Sequence, residues 1–377
     1  MSTRNYENHL AAYGIDEAAG KKECERIFQT IFYGNEDERF YHEAGDDMGY
    51  LEDTGNHDAR TEGMSYGMMM CVQMDKKAEF DRIWKWAKTH MYLTTGENAG
   101  YFAWSCHTDG SLNSGGAAPD GEEYFAMALI FAGNRWGNGE GIFDYHHEAK
   151  DLLHVMIRKG EGTLPGRPMF APENHLIRFV AELDFSDPSY HLPHFYALYA
   201  EHAYKEDRAF FLEAEKASRA YWEKCCHPVT GLSPEYGYYD GRPYEKMQDQ
   251  FGRHDWYYSD AYRTIINIAL DAEWNGRSDW AVREAENICG FFTPKLKDGS
   301  WETVYDVDGT ANEGMKALHP TGLIAGNAAA AVLAPEAAKP WVELFLERGL
   351  RGGDRRYYDN CLYFFVYLLL SGNYRIW

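Results

Sequence analysis

Met64-Ser65-Tyr66-Gly67-Met68-Met69-Met70-Cys71-Val72 has no charged face. Wound as an α-helix, it is apolar or small on every side, and such a helix is stable only when protein surrounds it. The run 358–370 reads the same way, whereas 208–224 and 278–291 place apolar residues on one side and charges on the other. That second pattern belongs to a helix with one face in water. Apolar residues recur at helical spacing over 64–75, 79–90, 122–134, 191–204, 208–224, 260–273, 278–291, 321–334, 340–348 and 359–370. The two kinds of helix roughly alternate, which predicts an inner ring enclosed by an outer one. The expected fold is all-α: about a dozen helices forming six hairpins that close an (α/α)6 barrel. An open solenoid is the competing topology.

Gly and Pro punctuate the long gaps between these runs, and strand-like stretches there are short, as at 101–104 and 301–307. No low-complexity segment, charge block or Pro/Ser-rich linker divides the chain, so a single catalytic domain over 1–377 is expected. The 37 Lys+Arg against 59 Asp+Glu leave a net charge of −22, which repels phosphate backbones and anionic lipid. Nucleic acid and membrane are therefore excluded as partners, and nothing calls for an obligate protein partner. The 11 Trp, 28 Tyr and 20 Phe exceed what a core needs, because each Tyr and Trp carries a polar atom that must find a mate. An acidic, aromatic-rich chain suits a neutral ligand with apolar faces and many hydroxyls, as sugars are.

The first nine residues show no apolar leader region, and the apolar stretch 328–334 ends at Pro335, far short of a bilayer span. Seven cysteines form no CxxC pair, and Cys225 and Cys226 are adjacent, which suits neither an ordinary disulfide nor a metal knuckle. Reduced thiols and a cytoplasmic location are expected.

Polar residues at helix starts carry the chemistry. Glu62 stands where the first all-apolar helix begins; Asp120, Asp187 and Asp260 each open another, and His319 precedes Pro320 at the head of a further one. Capping explains several of these. Asp120 with Glu123 is a capping-box pattern, Asp187 with Pro188 is an N-cap followed by Pro, and Ser259 is placed to cap for Asp260. Glu62 and Asp260 resist that explanation, because both lie within apolar runs, and buried carboxylates without partners mark functional sites. If the inner helices share one direction, Glu62, Asp120, Tyr190, Asp260 and His319 converge on one aromatic-rich cleft. Two carboxyls flanking a sugar bond suffice for glycoside hydrolysis, one giving a proton to the leaving oxygen and the other activating water. No HExxH, Walker loop or GxSxG competes, so neither metal nor cofactor is expected.

At these residues the sequence resembles glycoside hydrolase family 8, whose members are (α/α)6 barrels that hydrolyse β-1,4 glycans with inversion. The family signature, Ala-[Ser/Thr]-Asp-[Ala/Gly]-Asp followed by an apolar helix ending in Trp, is met by 118–136, with departures at Pro119, Glu122 and Phe125. The resemblance implies that Glu62, in Thr61-Glu62-Gly63-Met64-Ser65-Tyr66-Gly67, is the general acid. It implies that Asp260, in Asp260-Ala261-Tyr262-Arg263, is the base; Asp255 is the rival. Asp120 then binds the sugar ring at the point of cleavage, and Tyr190 helps hold the attacking water. Within the family, the segments 45–51, 53–56, 60–70, 100–106, 185–196, 318–320 and 355–362 resemble the group that removes one xylose from the reducing end of xylooligosaccharides. Leu318-His319-Pro320 matches that group's cleft-blocking loop, which makes His319 the candidate exo determinant; a helix-capping role is its alternative. An endo-acting xylanase, glucanase or chitosanase is the other reading of the whole chain. Trp104, Tyr357 and Tyr358 are the candidate sugar platforms, although core packing explains each equally well. Arg263, three residues beyond Asp260, is placed to hold that carboxylate. Glu62 and Asp260 are expected roughly 6.5–9.5 Å apart, leaving room for one water.

Overall fold

The computed structural model describes residue 4, residues 6–249 and residues 252–377. Met1, Ser2, Thr3 and Asn5, part of the stretch read as lacking a leader, lie outside the described residues. Twelve α-helices follow one another among the described residues. They are α1 (Glu17–Tyr33), α2 (Thr61–Met74), α3 (Lys77–His90), α4 (Pro119–Trp136), α5 (Tyr145–Arg158) and α6 (Pro193–His202). The second half holds α7 (Arg208–Cys225), α8 (Tyr262–Asn275), α9 (Asp279–Phe292), α10 (Pro320–Ala329), α11 (Pro335–Arg348) and α12 (Arg356–Leu370).

The even-numbered helices form the inner ring. In α2, α4, α8, α10 and α12 nearly every residue is buried, and α6 is buried over most of its surface. The odd-numbered helices bury one stripe, such as Cys24, Ile27, Phe28 and Ile31 on α1, and turn charged residues outward. Contacts run from α2 to α4, α6, α8, α10 and α12 in turn and back from α12 to α2, so the ring closes. Closure excludes the solenoid, whose first and last helices would lie apart. The chain is an (α/α)6 barrel.

Several boundaries differ from expectation. Helices α1 and α5 were not anticipated, although each has an amphipathic stripe. Helix α11 starts at Pro335 and passes through Pro340, which was read as its beginning; Pro335 takes the first position, where a missing N–H costs nothing. The apolar run 321–334 breaks after Ala329 into a 3-10 turn, Ala330–Val332. Of the strand-like stretches, 301–307 contains a real strand, Thr303–Asp306, paired antiparallel with Trp256–Tyr257 and Ala311–Lys316. The stretch 101–104 makes only an isolated bridge, Phe102 with Tyr92.

Two loop features shape the mouth of the barrel. The strand Asp58–Arg60 pairs antiparallel with Ser105–His107 and leads directly into α2. The Thr61 N–H, free at the helix start, donates to the Trp104 carbonyl (3.0 Å), which ties the Trp104 loop to the head of α2.

Candidate active site

All six inner helices deliver a polar residue at their N-terminal ends. Glu62 is the second residue of α2 and Asp120 the second of α4; Tyr190 ends the 3-10 turn Pro188–Tyr190 that leads to α6. Asp260 lies in the 3-10 turn Ser259–Ala261 before α8, His319 immediately precedes α10, and Tyr357 is the second residue of α12. These side chains, with Trp104 and Tyr358, line one cleft of about 420 Å³. The shared direction of the inner helices is what gathers them.

Capping does not account for them. Ala118 precedes α4 with no side-chain cap, and the Glu123 carboxylate accepts the Tyr196 hydroxyl rather than completing a capping box. Ser259 lies inside its own turn and caps nothing, and His319 makes no cap bond. Only Asp187 caps, accepting the Ser189 N–H at 2.7 Å.

One buried guanidinium organises the acids. Arg263 Nη1 donates to Glu62 Oε2 (2.9 Å), the Tyr66 hydroxyl (3.0 Å) and Asp120 Oδ2 (3.2 Å). Its Nη2 stands 3.4 Å from Asp260 Oδ1 and 3.9 Å from Asp187 Oδ2. Arg263 is expected to hold Asp260, and it does face that carboxylate, but it is shared with Glu62, Asp120 and Asp187. With one planar fork between them, the facing oxygens of Glu62 and Asp260 stand no more than about 9 Å apart. Four carboxylates cannot all ionise around a single cation in a desolvated pocket. Burial pushes Glu62 up to about 8, the nearby charges of Asp120 and Asp260 add to the rise, and Arg263 and the Tyr357 hydrogen bond oppose it. Burial likewise lifts Asp120 to about 6 and Asp187 well above the usual carboxylate range. Burial thus outweighs the helix N-terminus, which favours the ionised form.

Two glycines that follow the acids permit this crowding. A Cβ on Gly63 would lie 2.7 Å from the Tyr357 ring, and without one the Tyr357 hydroxyl reaches Glu62 Oε1 at 2.7 Å. A Cβ on Gly121 would lie 2.4 Å from Thr61 Cβ, so its absence lets the heads of α4 and α2 touch.

The remaining candidates divide into two groups. Trp104 is partly exposed on the cleft wall, with the Arg60 guanidinium 5.2 Å from its ring centre; Arg60 is itself fixed by Asp58 (2.9 Å) and Asp53 (3.2 Å). Tyr357 and Tyr358 are almost wholly buried, and their hydroxyls are committed to Glu62 and to the Ser259 carbonyl (3.3 Å). His319 lies 4.6 Å from the Tyr358 ring, and its Nδ1 faces Asp359 at 3.5 Å. The rival base, Asp255, is bound to Arg253 (2.7 Å) and is not part of the cleft lining. Glu122, one of the departures from the signature, is buried away from the cleft and accepts the Phe102 N–H (2.9 Å). Sequence reading missed Tyr66 and Glu235 as members of this site and took Asp187, singled out at a helix start, only as a cap. Tyr66 had a signal, one helical turn from Glu62; Glu235 had none, because it comes from the irregular loop after α7. No cluster of three metal-ligating side chains occurs among the described residues.

Residues 32–372 match the family model for glycosyl hydrolases family 8. The chain belongs to family 8. As a family 8 member it is a glycoside hydrolase, and its similarity extends beyond the family model to whole proteins. It is 51% identical over 378 residues to the reducing end xylose-releasing exo-oligoxylanase of Halalkalibacterium halodurans, covering 100% of this chain and 95% of that protein. It is 44% identical to the enzyme of the same description from Bifidobacterium adolescentis, covering 98% and 96%. The structure of Rex8A from Paenibacillus barcinonensis complexed with xylose superposes with a TM-score of 0.94, at 51% identity, over 99% of this chain and 97% of that one.

Proposed function

We propose that this chain is a single-domain hydrolase that releases xylose from the reducing end of β-1,4-xylooligosaccharides with inversion at the anomeric carbon. Glu62, kept protonated by burial until the pH approaches about 8, gives its proton to the glycosidic oxygen. Asp260, the more exposed of the pair, takes a proton from water as that water attacks C1 from the opposite face. Tyr190 shares the water, and Asp120 binds the ring whose anomeric carbon reacts. Arg263 compensates the charge that accumulates as protons move. Trp104 offers its face to a sugar ring, and His319 meets the free anomeric hydroxyl of the leaving xylose. No metal or cofactor enters these steps.

The observation that carries this proposal is the meeting of Glu62 and Asp260 on one guanidinium at the head of the cleft that Leu318 and His319 also line. Substrate choice follows the full-length relatives, all described as exo-oligoxylanases, in preference to an endo-acting enzyme. The seven cysteines are all free and buried, as a reducing compartment allows, and the cytoplasm is the proposed location. No helix among the described residues is long and apolar enough to cross a membrane. The test is digestion of xylotriose labelled in its reducing-end residue. Label released first as free xylose supports the proposal; label retained in xylobiose contradicts it.

A further inference from the structure

The base sits on an unusual piece of backbone. Ser259, next to Asp260, has φ 30°, outside the region that L residues ordinarily occupy, and such a turn persists only when its surroundings hold it. Two groups do so. The Tyr358 hydroxyl donates to the Ser259 carbonyl, and Glu235 Oε1 accepts the Asp260 N–H at 3.4 Å. Glu235 is itself fixed. Its Oε2 is 3.0 Å from His254 Nδ1 and accepts the Trp256 indole N–H at 3.3 Å; its backbone N–H donates to the Trp256 carbonyl at 3.0 Å. His254 is buried, stacked on Tyr236 with ring centres 4.4 Å apart, and its Nε2 faces Asp249 at 3.2 Å. Glu235 is only 3% exposed, yet it borders the cleft beside Asp260. A buried carboxylate carries a large desolvation cost; here one oxygen is held by His254 and Trp256 while the other is left to the backbone N–H of the base.

We propose that Glu235, clamped by His254 and Trp256, is a positioning residue that holds the strained Ser259-Asp260 turn and so aims the base at the attacking water. The proposal rests on Asp260 being the base. Glu235 needs no contact with the sugar for this role, and its effect belongs to the chemical step rather than to binding. Displacing a reacting group by about 1 Å is worth on the order of a hundredfold in rate.

The experiment compares Glu235→Ala, Glu235→Gln, Asp260→Ala and the unaltered enzyme on xylotriose and on β-xylobiosyl fluoride. The fluoride leaves without a proton donor, so its hydrolysis reports on the base alone. Glu235→Ala is expected to lower kcat by about a hundredfold on both substrates, with KM within about threefold and thermal unfolding little changed. Glu235→Gln keeps an acceptor for the Asp260 N–H and is expected to recover at least about tenfold of that loss. A KM rise with kcat preserved, a loss confined to xylotriose, or a Gln variant as impaired as Ala would overturn the positioning role. Asp260→Ala is expected to be inert on the fluoride. Its full activity there would instead overturn the base assignment, an outcome distinct from any failure at Glu235.

Discussion

Glu62 and Asp260 occupy corresponding ends of two inner helices but stand on different backbones. Glu62 is in the regular first turn of α2, 16% exposed, with both oxygens taken up by Arg263 and Tyr357. Asp260 projects from a 3-10 turn with a left-handed neighbour, is 27% exposed, and meets Arg263 only at 3.4 Å. The difference fits the chemistry. A proton donor must keep its proton near neutrality, which a rigid, desolvated site supplies. A base must reach water, which needs an opening, and the irregular turn provides one while Glu235 and Tyr358 limit its freedom. One guanidinium serves both because it sits beneath them, between the heads of the helices.

The largest expected effect breaks both halves of the pair. Glu62→Ala and Asp260→Ala should each lower kcat/KM on xylotriose by roughly 10³–10⁴-fold. Thermal unfolding followed by circular dichroism should move little in either variant. On β-xylobiosyl fluoride the two should separate, Glu62→Ala recovering most of its turnover and Asp260→Ala none. Equal recovery of both would erase the distinction between donor and base.

A smaller effect concerns the aglycone side. His319→Ala should increase by about tenfold the share of xylotetraose cut at its middle bond, read by chromatography of the initial products as xylobiose formed in place of xylotriose and xylose, because one charged or polar contact to the terminal hydroxyl is worth about that much. Unchanged product ratios would remove His319 from exo selection.

The smallest effect is on stability. Burial raises Glu62 from 4.5 to about 8, so the folded state binds a proton that the unfolded chain has lost between those values. The contribution of Glu62 to stability therefore falls as pH rises from 4.5 to about 8 and levels off above it. Glu62→Gln removes this dependence, and its melting temperature should exceed that of the unaltered protein by an amount on the order of a few °C that grows across this window. A difference independent of pH would show that Glu62 is not strained by burial. The same group predicts that kcat/KM declines on the alkaline side as the donor loses its proton.

The barrel was legible because burial writes itself into composition: α2 and the run 358–370 are apolar all round and alternate with one-faced helices. Closure, against an open solenoid, is decided by the contact of α12 with α2. Helices α1 and α5 bury one apolar stripe, as α7 and α9 do, and their amphipathic spacing went unread. The acids at the helix heads were legible from their misplacement in apolar runs. Their common partner was only half legible, since i+3 spacing ties Arg263 to Asp260 but says nothing of Glu62, Asp120 or Asp187 across the barrel. Glu235 reaches the site through the loop between α7 and α8, where no periodicity constrains position, and only the folded chain brings it to Asp260. For Tyr357 and Tyr358 the sequence left sugar platform and core packing equally open, and it gave no sign that their hydroxyls hold an acid and a turn.

The most direct test of a protonated Glu62 and a basic Asp260 acting across one water is proton NMR of xylotriose hydrolysis, recorded before mutarotation. The newly formed reducing end of xylobiose should appear first as the α-anomer, inverted from the β-linkage. Its first appearance as the β-anomer would mean retention, a covalent intermediate and a closer carboxylate pair, and would contradict the account.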